Sequence, residues 1–170
     1  MTKISDHLIK NKLIKDSQHG FMKNKSITTC LLQFYDNIFQ EYEAGRAVDI
    51  IFLDLKKAFD KVPHKKLIRK LRKLKIRGET LKWVKNWLKN RKQRVVINGV
   101  ESEYVDVTSG VPQGSVLGPL LFLIFINDFD DNLKSKISKF ADDTKMGGSA
   151  NSIEKCNDLQ SDLDSMFMEQ

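Results

Sequence analysis

The stretch Ala47 to Leu55, AVDIIFLDL, sets the terms for everything around it. It is short, almost continuously apolar and rich in β-branched residues, so it reads as a strand buried on both faces. Such a strand needs neighbours in a sheet and helices to cover it, and the rest of the chain supplies both. Ser26 opens a helical pattern in which Ile27, Leu31, Tyr35, Ile38, Phe39 and Tyr42 recur at three- and four-residue spacing, and Gly45 closes it. Leu67, Leu71 and Leu74 form the apolar stripe of a second helix, ended by Gly78; Leu81, Val84, Trp87 and Leu88 form that of a third. Asn98-Gly99 between apolar residues is the strongest short hairpin signal, a type I′ turn whose second arm runs roughly from Glu103 to Thr108.

A Gly/Pro-rich turn, Ser109 to Gly114, then leads into a very apolar helix reaching as far as Phe129. Ile137 to Phe140 and Thr144 to Met146 read as two strands joined through Asp142-Asp143, with Gly147-Gly148 after the second. Ser152 to Met168 is an acidic amphipathic helix, residues 1–25 look irregular or weakly helical, and Lys56 to Val62 reads as one or two helical turns stopped near Pro63. No repeat or low-complexity linker interrupts the chain, which reads as one continuous unit. The mixture predicts an α+β fold with helices packed mainly on one face of the sheet.

At 170 residues, the chain can bury roughly two-thirds of its unfolded surface. A composition of 41% hydrophobic and 30% charged residues excludes general disorder. Cys30 and Cys156 stand far apart with no metal-ligand spacing, which argues against structural zinc and a disulfide scaffold and for a reducing, intracellular compartment, nuclear or cytoplasmic. The lysine-rich start has no apolar core of the kind a signal peptide needs. The longest apolar run, Val116 to Ile126, is too short for a bilayer, which takes about 20 residues, so no membrane partner is expected.

The net charge of +7 is unevenly placed: Lys61 to Arg94 holds 15 Lys/Arg against one acid, Glu79. A block this basic points to a polyanion, nucleic acid before membrane, with a solvated lysine-rich helix face as the plain alternative.

Three carboxylates stand out. Asp54 lies near the end of the apolar strand, where an unpaired buried charge costs several kcal/mol. Asp142 and Asp143 sit at the tip of the later hairpin, and adjacent carboxylates there point to opposite sides. Together they could form an all-oxygen cluster suited to Mg²⁺. Two such ions about 4 Å apart would serve in-line nucleotidyl transfer. Locally, each also has an ordinary reading, as a helix cap for Asp54 and a surface turn for the pair. Pro112-Gln113-Gly114 precedes a helix, a weak phosphate-site signal that matches neither a P-loop nor G-x-G-x-x-G. Asp128, Asp130 and Asp131 lack the Gly and Glu of a calcium loop and read as helix-end solvation.

The combination is more specific than its parts. Phe52-Leu53-Asp54-Leu55-Lys56-Lys57-Ala58-Phe59-Asp60, then Ser109-Gly110-Val111-Pro112-Gln113-Gly114-Ser115-Val116-Leu117-Gly118-Pro119, then Phe140-Ala141-Asp142-Asp143-Thr144 closely resembles the reverse transcriptase domain of non-LTR (LINE-type) retrotransposons. Upstream, Gln18-His19-Gly20-Phe21-Met22-Lys23-Asn24-Lys25-Ser26 resembles that family's fingers motif. The resemblance runs from Ser17 to Met168 and implies a right-hand polymerase with an antiparallel palm sheet. It makes residues 1–170 a partial domain, fingers and most of the palm, with the thumb absent.

By that resemblance, Asp54, Asp142 and Asp143 are the catalytic, metal-binding carboxylates for two Mg²⁺ ions, with Mn²⁺ as a substitute. Phe59 is the steric gate against a 2′-OH, although from pattern alone it is equally a core aromatic. Gln113 and Gly114 line the nucleotide and template pocket. Lys23 falls where the family usually has Arg, keeping the charge but losing the planar fork. Lys65, Lys66, Arg69, Lys73 and Lys75 would track a template backbone. The implied activity is RNA-directed DNA polymerisation, adding dNMP from dNTPs to a DNA primer 3′-OH on an RNA template. The rival reading is a catalytically impaired retrotransposon remnant that at most binds nucleic acid. A phospho-accepting signalling domain fits poorly, since it would alternate strands and helices throughout.

Overall fold

The computed structural model describes residues 3–168. In chain order the elements are α1 (Lys3–Lys10), α2 (Ile27–Glu43), β1 (Val48–Leu53), α3 (His64–Lys73), α4 (Gly78–Leu88), β2 (Lys92–Gln93), β3 (Val96–Ile97), β4 (Val100–Glu101), β5 (Val105–Asp106), α5 (Leu117–Ile126), β6 (Lys136–Phe140), β7 (Asp143–Ser149) and α6 (Ile153–Met168). They fold as two compact units. The first takes the residues up to Leu13 with Lys57–Phe125; the second takes Ile14–Lys56 with the residues from Ile126 onward. The α+β class is as the sequence predicts.

The second unit is built on a three-stranded antiparallel sheet in the order β1-β7-β6. β7 does not stop before Gly147-Gly148 but runs through both, and these two glycines explain how the sheet is covered. A Cβ on Gly147 would lie 2.6 Å from Ile38 of α2, and one on Gly148 would lie 3.4 Å from Leu159 of α6. Consecutive strand residues face opposite sides. The two helices therefore lie on opposite faces of this sheet, which corrects the expectation of helices mainly on one face. The α6 side holds Met146, Leu159 and Met166, with Ile51, Leu53 and Ile137 packed against them.

β1 is not buried on both faces either. It is an edge strand, and α2 packs chiefly over β6, so Ile50 and Phe52 remain 37% and 67% exposed. The other edge, β6, is covered by a short parallel segment: Lys139 N–H donates to Ser17 O and His19 N–H to Lys139 O, both at 2.8 Å. At Lys139 this edge therefore has no free backbone pair to offer another chain.

Ser26 caps α2 as expected, its side chain accepting from Thr29 N–H. Gly45, at φ +70°, ends that helix with Gly45 N–H to Tyr42 O and Arg46 N–H to Glu41 O, a Schellman motif.

In the first unit α3 packs on α4, burying Leu67, Leu71, Val84 and Leu88. Gly78 does not end α3. Lys75 takes the left-handed position there, at φ +61°, with Lys75 N–H to Arg72 O and Ile76 N–H to Leu71 O, while Gly78 opens α4. Asn98 and Gly99, both at positive φ, make the expected type I′ turn between β3 and β4, and β2 pairs with β5 further down the ribbon. His7 Nε2–H donates to Leu74 O at 2.9 Å, tying α1 to the end of α3.

Candidate active site

The three candidate carboxylates all belong to the second unit, and strand register brings them to one end of its sheet. The last β6–β7 pair is Phe140 with Asp143, so Ala141 and Asp142 form a two-residue turn. The last β1–β7 pair is Leu53 with Thr144. Asp54 directly follows Leu53, and Asp143 directly precedes Thr144, so both lie at this end of the β1–β7 pair. Asp142 is half-buried, and Asp54 and Asp143 are exposed. Asp54 is thus not the buried charge the strand pattern suggests, because β1 ends before it.

These are hard oxygen donors, the chemistry that Mg²⁺ takes. Mg²⁺ is usually held by one or two carboxylates with waters and substrate phosphates rather than by a protein cage. That matches what is present. The three side chains share one end of the sheet, yet among the described residues no group of three His, Cys, Asp or Glu closes into a ready ligand set. The preformed three-carboxylate cluster expected from sequence is therefore not found, although the donor set fits the ion.

Behind the turn lie contacts that the motif resemblance at Gln18 and His19 did not foretell. Gln18 is 1% exposed, and its Oε1 accepts from Gly20 N–H at 2.9 Å and from Ala141 N–H at 3.1 Å. His19 is also buried, with Nε2 2.6 Å from Gln33 Oε1 and Nδ1 3.1 Å from Thr29 Oγ1; burial holds its pKa below the ordinary value.

Lys139, wholly buried, donates from Nζ to Asp130 Oδ1 at 2.6 Å, and Ser17 Oγ donates to Asp130 Oδ2 at 2.7 Å. Lys15 lies 3.2 Å from Asp130 and also pairs with Asp131. Asp130 is therefore part of a buried ion-pair network, not helix-end solvation. Burial pushes its carboxyl up, but the charge and hydrogen bond of Lys139, with Ser17 and Lys15, outweigh this and hold it below the ordinary value. Burial pulls Lys139 down, and Asp130 offsets only part of that. The one sequence signal for this network was a lysine inside an otherwise strand-like run.

Lys23 is exposed on the loop before α2. That loop is held by Lys25 Nζ, which donates to Asp16 O at 2.6 Å and Gln18 O at 3.0 Å.

The remaining candidates lie in the first unit. Phe59 is half-buried and stacked on Phe122 of α5, with ring centroids 4.2 Å apart. Gln113 is exposed, and its Nε2 donates to Asp60 Oδ1 at 2.8 Å. Asp60 also receives Ser109 Oγ at its carbonyl, and a Cβ on Gly110 would lie 2.7 Å from that same oxygen. The Ala58-Phe59-Asp60 segment and the Ser109–Gly114 turn are thus locked together, which accounts for Asp60 and Gly110. Gly114, at φ +74°, is exposed in the turn before α5, where Ser115 Oγ accepts from Gly118 N–H. Lys65, Arg69 and Lys73 project from α3 on the side away from Leu67 and Leu71 and are exposed, as is Lys75; Lys66 is half-buried.

The fold and site define an α+β protein whose candidate chemistry rests on aspartates at the end of an antiparallel sheet. A family model described as "Reverse transcriptase (RNA-dependent DNA polymerase)" matches residues 1–168, and the chain belongs to that family. It is 29% identical over 157 residues to a probable RNA-directed DNA polymerase from transposon BS of Drosophila melanogaster, covering 88% of this chain and 17% of the relative. It is 32% identical over 145 residues to the RNA-directed DNA polymerase from mobile element jockey of the same organism, covering 80% and 15%. The transposon X-element polymerase, also from Drosophila melanogaster, is 32% identical over 133 residues, covering 75% and 14%. The chain thus spans about a sixth of the length of these curated relatives. A solved structure described as a partial Cas6-RT-Cas1–Cas2 complex is 28% identical, covers 79% of this chain and 22% of that one, and superposes with a TM-score of 0.39. Among the described residues, no helix is long and apolar enough to cross a membrane.

Proposed function

We propose that this chain carries the nucleotidyl-transfer centre of an RNA-directed DNA polymerase, with the second unit as its palm. The observation that carries this is the register: Leu53 opposite Thr144 and Phe140 opposite Asp143 set Asp54, Asp142 and Asp143 at one sheet end. Bound Mg²⁺ would supply charge neutralisation and a lowered pKa for the attacking hydroxyl. Asp54 and Asp142 would be its main holders, with Asp143 in support. A primer 3′-OH would attack the α-phosphorus of a dNTP, forming a new phosphodiester and releasing pyrophosphate.

Phe59, backed by Phe122, is suited to act as a rigid edge against a 2′-OH. Gln113 and Gly114 would contact the incoming nucleotide and the template, and Lys23 would meet the triphosphate as a point charge. Lys65, Lys66, Arg69, Lys73 and Lys75 would follow the template backbone in an enzyme working inside the cell.

The open arrangement of the carboxylates favours a second reading, a remnant that binds nucleic acid without turnover. Primer extension on an RNA template with Mg²⁺ and dNTPs separates the two. Extension that is lost in Asp142→Ala is expected. RNA binding with no extension supports the remnant, and extension that survives Asp142→Ala rejects the site.

A further inference from the structure

Two-residue hairpin turns in which only the first central residue is at positive φ normally have glycine there. The turn that carries Asp142 has Ala141 instead, at φ +59°. For a residue with a Cβ, that conformation costs about 1–2 kcal/mol unless the surroundings impose it. The surroundings here are specific. Ala141 is buried, and the outward N–H of a turn residue has no ladder partner, so it needs an acceptor from elsewhere. The acceptor is Gln18 Oε1, at 3.1 Å, from a side chain that is itself 1% exposed. The same oxygen takes Gly20 N–H at 2.9 Å, while Gln18 Nε2 lies at the outer limit of hydrogen bonding, 3.5 Å from Ala141 O. Gly20 permits the approach: a Cβ there would fall 2.3 Å from Ala141 N.

The loop segment and the hairpin tip are therefore pressed backbone to backbone, with one amide oxygen joining them. Gln18 lies beside β6 through the bridge to Lys139, so its own backbone is anchored to the same sheet. Asp142 follows Ala141 directly, and the dihedrals of Ala141 set where the Asp142 carboxylate starts from.

We propose that Gln18 is a positioning residue for Asp142: its Oε1 holds the strained turn in the one conformation that presents this carboxylate for metal binding. The proposal rests on the reading of Asp142 as a metal ligand. It works through an acceptor, so it distinguishes between substitutions of similar size. Gln18→Met keeps the length and volume but offers no acceptor to the two N–H groups. Gln18→Glu keeps an oxygen at the same reach.

The test uses the whole chain and Mn²⁺ alone, with binding followed by electron paramagnetic resonance and amide exchange by NMR. Gln18→Met should weaken Mn²⁺ binding by about tenfold, the equilibrium equivalent of one lost hydrogen bond. In the same variant the Ala141 amide should exchange at least about tenfold faster, with Ile51 and Met146 in the paired strands unchanged. Gln18→Glu should bind Mn²⁺ within about threefold of the parent, because its acceptor remains. Unchanged Mn²⁺ affinity in Gln18→Met, with Ala141 released, overturns the proposal. So does protection lost equally at Ile51 and Met146, since Gln18 would then only support the fold. Asp142→Asn separates the two layers. Binding lost there but indifferent to Gln18→Met rejects the positioning role alone. Binding that survives Asp142→Asn rejects the metal reading and this proposal with it.

Discussion

Lys139→Met isolates the electrostatics of the buried network in the second unit. The lysine side chain is wholly buried, with Nζ 2.6 Å from Asp130, whose own side chain is 8% exposed. Methionine reproduces most of the aliphatic stem, so packing is nearly conserved and the loss is the charge. Removing one partner of a buried pair costs about 3–5 kcal/mol, because the other charge is left uncompensated. Asp130 would keep Ser17 and the half-exposed Lys15, which puts the expected cost near the lower end, about 3 kcal/mol.

A chain of two units need not melt in one transition, so bulk unfolding is a poor assay. Native-state amide exchange in β6 and β7 reports on this unit directly. The double variant Lys139→Met/Asp130→Leu removes both charges and should recover to within about 1 kcal/mol of the parent.

The pH dependence has a definite sign. Asp130 is held below the ordinary carboxylate value of 3.8 in the folded chain. Its contribution is present above that value and is lost as pH falls through the depressed folded pKa. In Lys139→Met the largest of those restraints is lost while Ser17 and Lys15 remain, so the carboxyl sits higher than in the parent and the penalty should shrink as pH is lowered and Asp130 takes up a proton. A single variant within about 1 kcal/mol of the parent at neutral pH would refute the reasoning, as would a double variant no better than the single.

Gly20→Ala should cost about 1–3 kcal/mol by overpacking, since the new Cβ meets only backbone at the Ala141 turn; exchange at Ala141 to Thr144 reads it, and a change below about 0.5 kcal/mol would show that the turn yields freely. Neutralising Lys65, Lys66, Arg69, Lys73 and Lys75 to Gln should flatten the salt dependence of RNA binding by about 0.7 in log–log slope for each phosphate that is no longer neutralised. An unchanged slope would mean these side chains are only a solvated face of α3.

By itself the sequence determined whatever depends on neighbours a few residues away. Ser26 and Gly45 bound α2 because a cap and a left-handed glycine act within one helical turn. Asn98-Gly99 made its hairpin because that pair tolerates two positive φ values in succession. The order and spacing of the Asp54, Gln113 and Asp142 motifs carried the family, since they record chemistry rather than packing. Only the tertiary structure decided the rest. Gly147 and Gly148 look like a turn in sequence, yet they are strand residues thinned so that α2 and α6 can approach opposite faces. β1 reads as buried on both sides, but its place at the sheet edge leaves Phe52 open. The lysine at 139 and the aspartate at 130 look like surface charges until the fold removes their water. Gln18 and Ala141 are 123 positions apart, and no local periodicity links them. Their hydrogen bond exists because the loop bridge to β6 and the missing side chain of Gly20 bring two backbones together, and a buried N–H must then be met by an acceptor.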